Sequence, residues 1–150
     1  DGGIRDVGPI SFKRGTPIGS KLPVVNARLP SGRVFYYRDI RQEATEDNGF
    51  NGGKEWKHGA GQRLYGGLIL ENVTQAISRD ILIESLIRAE LDREFPIVLH
   101  VHDSIVGLCP EDRAEDNAKW LVESLKTNPD WAGKQLVLNA ESKIGKTLVT

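Results

Sequence analysis

One carboxylate in this sequence has neighbours that suit a catalytic or metal-binding role. Asp103 lies between His102 and Ser104, and apolar, β-branched runs flank this polar group at 97–101 and 105–108. The pattern predicts a short hairpin with charge at its tip. A carboxylate fixed at such a tip can hold a metal ion or a proton at the edge of a sheet. The alternative is that Asp103 and Ser104 stand there because both residue types make good turns.

Two histidines next to Asp103 allow a second kind of chemistry. His100 and His102 are alternate residues, which face the same way on a strand, so the pair can bind zinc. A stable zinc site usually needs three protein ligands, and the third histidine, His58, lies in a predicted loop. A small metal hydrolase built on His100, His102 and Asp103 is therefore an alternative function for this chain.

The hairpin needs a support, and a long helix predicted over residues 68–94 directly precedes it. This stretch contains neither Pro nor Gly. Its apolar positions move from one side of the helix to the other, so we expect a central helix packed by different elements at its two ends. At 100° per residue, Asn72, Gln75 and Arg79 cluster on one side. This polar stripe is either a solvated face or a surface that binds a ligand.

The remaining elements complete an α+β fold. The runs on either side of Pro30-Ser31-Gly32 predict a β-hairpin, whereas residues 1–24 predict irregular structure with one edge strand. Residues 42–65 predict a long Gly-rich loop, residues 111–126 a second, shorter helix and residues 135–139 a final strand. This order predicts an antiparallel sheet packed by helices on one side.

Charge is unevenly distributed along the chain. We expect a single domain over 1–150, made of a basic N-terminal part (1–41), the Gly-rich loop (42–65) and a helix-hairpin-helix-strand part (66–150). The net charge is −1, but the first part carries +5 and the remainder −6. Such a basic segment can offset phosphates on one face; the alternative is a solvated charged surface. Its basic residues are Arg5, Lys13, Arg14, Lys21, Arg28, Arg33, Arg38 and Arg41.

Composition limits the class of protein. With 39% hydrophobic and 27% charged residues, the chain is of the soluble, folded type. No apolar run approaches the roughly 20 residues of a membrane helix, so we expect a cytoplasmic protein without a membrane partner. The single Cys109 excludes an internal disulfide and a cysteine-based zinc site. Because the sequence contains no Met and begins with Asp, we expect a fragment, a processed product or a trimmed form.

Three stretches resemble family A DNA polymerases, the group of the Klenow-type bacterial repair enzyme and many phage replicases. Val101-His102-Asp103 between two apolar runs is similar to motif C of that family. The stretch 29–37, Leu-Pro-Ser-Gly-Arg-Val-Phe-Tyr-Tyr, is similar to the family's Gly-Arg-x-x-Tyr hairpin. Gly66-Gly67 together with 71–80 resembles the Gln-containing helix that precedes motif C in phage members. The three matches keep the family's order and spacing from about Val24 to the C-terminus.

The resemblance implies a palm-like fold and nucleotidyl transfer with two Mg²⁺ ions, on primer-template DNA and a deoxynucleoside triphosphate. Asp103 would be the motif C carboxylate and a metal ligand. His102 would lie near the primer terminus. Side chains on the helix would sense base-pair geometry in the minor groove, and a basic residue would meet phosphates. These DNA-binding positions are Gln75, Arg79, Asn72 and Arg33.

The sequence also departs from the family. Members commonly carry Glu after the motif C Asp, and Ser104 cannot act as a second anionic ligand, although a hydroxyl can orient a water. No stretch resembles motif A, with the other catalytic Asp, or motif B, which binds the incoming nucleotide. The resemblance therefore implies the C-terminal palm segment of a polymerase, inactive unless an N-terminal segment supplies both motifs. A non-catalytic module that binds DNA or a protein is the alternative.

Overall fold

The computed structural model describes residues 3–16, 21–44, 53–134 and 136–147. These residues form antiparallel sheets, one long helix and one shorter helix, so the predicted α+β class is confirmed. The strands belong to three separate sheets of four, three and two strands, where one sheet was expected. The chain divides into two compact units, Asp1–Gln75 and Ala76–Thr150. Neither α-helix in the described ranges is long and apolar enough to cross a membrane.

The first unit begins with a four-stranded antiparallel sheet. Its strands are β1 (Ile4–Val7), β2 (Ile10–Gly15), β3 (Val24–Arg28) and β4 (Val34–Tyr37), and they lie in this order across the sheet. The hairpin predicted around Pro30-Ser31-Gly32 is confirmed as β3 and β4.

The expectation of irregular structure with one edge strand in residues 1–24 is wrong for the described residues 4–15, which form two strands. Strands β1 and β2 form a hairpin, and β2 continues the sheet by pairing with β3. The residues between the two strands, Gly8 and Pro9, form a tight turn in which Gly8 adopts a φ of 57°. A Gly-Pro pair is a common feature of irregular segments, and here it connects two regular strands.

The two sides of this sheet differ: one holds a small buried cluster, and the other is mixed, with Lys13, Arg28 and Tyr36 exposed but Val24 only 7% exposed. Alternate residues of a strand face opposite sides, and the buried side contains Ala27, which is fully buried, and Tyr37, which is 4% exposed. Phe35 packs edge-on against the Tyr37 ring with 5.5 Å between the ring centroids. The sheet therefore has its own small aromatic core on one side.

A second sheet replaces much of the loop predicted over residues 42–65. Its antiparallel strands are β5 (Arg41–Ala44), β6 (Lys54–His58) and β7 (Gln62–Leu64), while residues 45–52 lie outside the described ranges. Polar composition predicted a loop, but charged side chains pair with each other both across the strands and along them. Lys57 Nζ lies 3.0 Å from Glu43 Oε2 and 3.2 Å from Glu55 Oε1.

The charged residues of this second sheet affect each other's pKa. Hydrogen bonds donated by Lys57 and Arg41 lower the pKa of Glu43 below its ordinary value. Hydrogen bonds to Glu43 and Glu55 raise the pKa of Lys57. Both effects favour the charged forms, which are the forms that pair in this sheet.

The long helix predicted over 68–94 is α1, Gly66–Asp92. Val73, in the first unit, is buried on one side of it, whereas Leu82 and Ala89, in the second unit, are buried on the other. At 100° per residue, Val73 and Leu82 are half a turn apart. The expected change of buried side along the helix is thereby confirmed.

The second unit places a two-stranded hairpin and a helix after α1. The strands are β8 (Ile97–Val101) and β9 (Ser104–Gly107), and helix α2 spans Ala114–Lys126 after a 3₁₀ turn at Glu111–Arg113. The hairpin and the shorter helix were both predicted. The strand predicted over 135–139 is wrong: residue 135 lies outside the described ranges, and 136–139 form no strand, with Val137 92% exposed.

The core of the second unit joins α1, α2 and the hairpin. Ala89, Phe95 and Leu121 form its buried centre, and partly buried apolar residues surround them. Arg88 adds polar contacts between the helices: its guanidinium donates to Ser124 O at 2.6 Å and to Thr127 O at 3.2 Å. These carbonyls belong to the C-terminal end of α2, where backbone acceptors lack helical partners. The surrounding residues are Ile97, Cys109, Trp120 and Leu125.

We predict that Gly107→Ala destabilises the protein. A Cβ atom at residue 107 would lie 2.7 Å from Phe95 Cε2, and Phe95 is only 6% exposed, so its ring has little room to move. Overpacking of this kind costs about 1–3 kcal/mol, measurable by urea unfolding. The control is Gly15→Ala in β2, where an added Cβ has no neighbour within 4 Å and should change stability by less than about 0.5 kcal/mol. Equal stability of the two variants would contradict the close packing.

Candidate functional site

The tip of the β8–β9 hairpin consists of His102 and Asp103. Val101 pairs with Ser104, so these two residues form the loop between the strands. His102 has a φ of 53°, a left-handed conformation that a two-residue hairpin loop requires at its first position and that His tolerates better than most residues. His102, Asp103 and Ser104 are all exposed. The predicted hairpin with a carboxylate at its tip is thus present.

The strands that support the tip are more exposed than expected. The apolar composition of the hairpin predicts two buried strands, but Val98, Leu99 and Val101 of β8 are 54%, 43% and 48% exposed. A two-stranded sheet without a neighbouring strand presents both faces, so alternation along β8 does not bury either side. The tip is therefore held mainly from the base of the hairpin.

Three contacts fix the base of the hairpin. The backbone N–H of Ile97 donates to Glu90 Oε1 of α1 at 2.9 Å, and the N–H of Leu108 donates to Pro96 O at 3.0 Å. The ring of Phe95 lies directly against Gly107 of β9. Sequence reasoning missed this anchor, although an aromatic residue followed by Pro at the start of a predicted strand was its visible signal.

The side chains at the tip supply only some of the oxygen ligands that a hard cation such as Mg²⁺ needs. Asp103 supplies one carboxylate and Ser104 one hydroxyl, which are oxygen donors of the kind that Mg²⁺ binds. Within the described ranges, no three His, Cys, Asp or Glu side chains come together as a metal site. His100 pairs with Ile105 on the hairpin, and His58 lies in β6 of the first unit rather than in a loop.

The polar stripe predicted on α1 contains side chains with different roles. Asn72 is partly buried, and its Nδ2 donates to the Tyr37 hydroxyl of β4 at 3.2 Å. Gln75 is exposed, and its Nε2 donates to Glu71 Oε1 at 3.1 Å. Arg79 is also exposed. Gln75 and Arg79 are thus available to a ligand, whereas Asn72 supports the sheet.

Arg33 lies at the end of the β3–β4 turn. Its side chain is exposed, and its backbone carbonyl accepts a hydrogen bond from the N–H of Leu29 at 2.8 Å. Gly32, with a φ of 86°, makes this turn possible. Arg33, Asn72 and Gln75 belong to the first unit, and the other three candidate residues to the second, so their assembly into one site stays a prediction. Those three are Arg79, His102 and Asp103.

Tyr37 contacts the candidate residue Asn72 and has a clearly displaced pKa. Burial raises the pKa of the Tyr37 hydroxyl above its ordinary value, and the hydrogen bond from Asn72 opposes that rise. The Tyr37 ring also packs edge-on against the His58 ring, with 5.5 Å between the ring centroids. The hydrogen bond from Asn72 to the Tyr37 hydroxyl therefore links α1 to β4.

Comparison with known proteins gives one informative similarity. The chain is 29% identical over 144 residues to the DNA polymerase of Bacillus phage SP02. The similarity is to a DNA polymerase. It covers 92% of this chain and 22% of the phage protein, so the chain spans a small share of that relative's length. No family model matches the chain, and no solved structure matches it. The assignment to family A and the motif C role of Asp103 stay predictions.

We predict that Asn72→Ala raises the pKa of Tyr37 further. The folded-state pKa of Tyr37 lies above the unfolded value of about 10. The neutral form therefore contributes its full stability below about pH 10, and this contribution is lost as pH rises through the folded-state pKa. The phenolate absorbance of the protein minus that of Tyr37→Phe isolates this titration. It should move to higher pH in Asn72→Ala. Gln75→Ala is the control, because Gln75 bonds to Glu71 instead, and an equal shift there would contradict the assignment.

Proposed function

We propose that this chain is the C-terminal part of a phage-type DNA-directed DNA polymerase, active only when an N-terminal segment is present. The similarity to a phage DNA polymerase along nearly the whole chain is the observation that carries the proposal. The exposed carboxylate on a short, fixed loop supports it, because phosphoryl transfer is catalysed mainly by positioning and by charge stabilisation. The resemblance of three ordered motifs to family A adds the palm assignment.

Asp103 acts in this proposal as one of two essential metal-binding carboxylates. Bound Mg²⁺ supplies positive charge that neutralises the triphosphate and lowers the pKa of the primer 3′-hydroxyl. The two-residue loop holds the Asp103 carboxylate at a fixed point, and the Ser104 hydroxyl orients a water beside it. His102 contacts the primer terminus. The second carboxylate belongs to the N-terminal segment with motif A, and the incoming nucleotide is bound by motif B of that segment.

The DNA contacts in this proposal come from α1 and the β3–β4 turn. Gln75 and Arg79 donate to minor-groove acceptors, which occur at every base pair and therefore report geometry without selecting sequence. Arg33 neutralises a backbone phosphate. Asn72 positions the helix through its hydrogen bond to Tyr37 rather than by contact with DNA.

We predict that Asp103→Asn abolishes primer extension in the complemented enzyme. The 150-residue chain alone should extend no primer, and addition of the N-terminal segment of a related phage polymerase should restore extension. Loss of a metal-binding carboxylate should then lower kcat by at least roughly 10²–10³-fold, because charge stabilisation of the transferring phosphoryl group is lost. Extension of a labelled primer under single-turnover conditions measures the effect.

The matched control for this experiment is Asp112→Asn. Asp112 is an exposed carboxylate in the same unit, in the 3₁₀ turn before α2, and should leave extension unchanged. Robust extension by the chain without its partner segment would refute the proposal. So would an Asp103→Asn variant that extends primers at the rate of the complemented wild type.

We predict that Gln75→Ala and Arg79→Ala weaken binding of matched primer-template duplex in the complemented enzyme. Loss of one hydrogen bond should raise Kd by about 2–10-fold, similarly for all sequences, because the minor-groove acceptors are shared. Fluorescence anisotropy with two unrelated duplexes measures both effects. Thr74→Ala is the control, since the Thr74 hydroxyl donates to Leu70 O within the helix. A loss restricted to one duplex sequence would contradict minor-groove contact.

A non-catalytic DNA-binding module is the second candidate function. Ser104 in place of a second acid and the partial set of donor atoms at the tip favour it. This candidate predicts salt-dependent duplex binding by the isolated chain that Asp103→Asn leaves unchanged. It also predicts no extension with any partner segment, so the complementation experiment separates the two functions.

A further inference from the structure

The mixed side of the four-stranded sheet has the composition of a nucleic-acid surface. Residues directly opposite each other in an antiparallel sheet share a side, and the register places Lys13, Asn26 and Tyr36 in one row across β2, β3 and β4. Arg28 stands two residues from Asn26 on the same side. Arg38 follows β4 and covers Tyr36. We name this surface the outer face, defined by Lys13, Asn26, Arg28, Tyr36 and Arg38.

The outer face carries cations that the described part of the chain leaves without ion-pair partners. Lys13, Arg28 and Arg38 are all exposed, and no described carboxylate lies within ion-pair distance of them. Asp6 of β1 lies toward one edge of this side and accepts a hydrogen bond from Ser11 at 2.5 Å. The face therefore has an excess of positive charge, although the chain as a whole carries −1.

An aromatic ring stands among these cations. Tyr36 is 51% exposed, and the Arg38 guanidinium carbon lies 5.3 Å from the centroid of its ring. Next to the ring is a shallow pocket of about 260 Å³, which is smaller than the roughly 300–1,000 Å³ of pockets for whole cofactors. It has room for a single planar group. Its lining residues are Gly15, Thr16, Val24, Asn26, Tyr36 and Arg38.

We propose that the outer face binds single-stranded DNA, with a base stacked on Tyr36 and backbone phosphates on Lys13, Arg28 and Arg38. A stacking ring combined with cations that follow the backbone is how single strands are bound without sequence preference. Duplex DNA has its bases stacked inside, so it cannot use the ring. The excess of cations on this face favours a polyanion over a protein surface, which carries charges of both signs.

This binding site is separate from the proposed catalytic role. The outer face lies entirely in the unit Asp1–Gln75, whereas Asp103 belongs to the unit Ala76–Thr150. The inference goes beyond the polymerase proposal, which uses α1 and the β3–β4 turn for duplex contacts. If the chain binds no single strand, the polymerase proposal is unaffected. If complementation fails, the proposal of a single-strand site on the outer face is unaffected.

Fluorescence anisotropy tests the proposal. It measures how tightly the 150-residue chain binds a labelled oligothymidine of about 12 nucleotides at about 50 mM salt. Tyr36→Ala should raise Kd by about tenfold, and Tyr36→Phe should keep wild-type affinity because the stacking ring remains. Lys13→Ala should raise Kd several-fold and reduce the slope of log Kd against log salt by about 0.7. Circular dichroism verifies that each variant is folded.

Arg14→Ala is the matched control, because Arg14 is the exposed neighbour of Lys13 in β2 and faces the other side of the sheet. It should change Kd by less than about twofold, since it lies away from the bound strand. The proposal is overturned if the wild-type chain binds no oligothymidine or if Arg14→Ala weakens binding as much as Lys13→Ala. It is also overturned if Tyr36→Ala has no effect, or if Tyr36→Ala weakens binding of a duplex of equal length as much as it weakens binding of the single strand.

Discussion

The position of Asp103 depends on how Phe95 packs at the base of its hairpin. Glu94, with a φ of 51°, reverses the chain after α1, and the N–H of Phe95 donates to Ala89 O at 3.0 Å, so the ring enters the core beside Ala89 and Leu121. Burial of an aromatic ring of this kind contributes about 1.5–3 kcal/mol. The left-handed conformation of His102 costs roughly 1–2 kcal/mol. The gain from burying Phe95 at the base is thus as large as the cost of the left-handed residue at the tip.

The elements that the sequence predicts correctly are those decided by local rules. The α1 helix follows from 27 residues whose interior lacks Pro and Gly, and the β3–β4 hairpin from Gly32, which alone among common residues adopts its φ of 86° without strain. The loop at His102 and Asp103 follows from two apolar runs around a short polar group. In each case the decisive information lies within a few consecutive residues, and Asp103 could be placed at a tip for that reason.

The elements that the sequence does not predict depend on partners distant in the chain. Strand β6 contains Lys57, whose charge is matched by Glu43 on the neighbouring strand, and such pairing is invisible in a hydropathy pattern. Residues 136–139 have the opposite character: they are apolar enough for a strand, but Val137 remains 92% exposed because no described strand pairs with them. Asn72 likewise shares its predicted stripe with Gln75, yet Tyr37 determines its role.

Ser104 gives the tip a neutral oxygen donor beside the Asp103 carboxylate. Ser104 directly follows Asp103 and begins β9, so an acid at residue 104 would add a second negative charge near the tip. Two adjacent carboxylates repel each other and raise the pKa of one of them unless a cation lies between them. A hydroxyl removes that repulsion while keeping an oxygen donor at the same place. The cost is weaker attraction for a divalent ion, so a chain with Ser104 depends more strongly on a second carboxylate from elsewhere for any metal-based function.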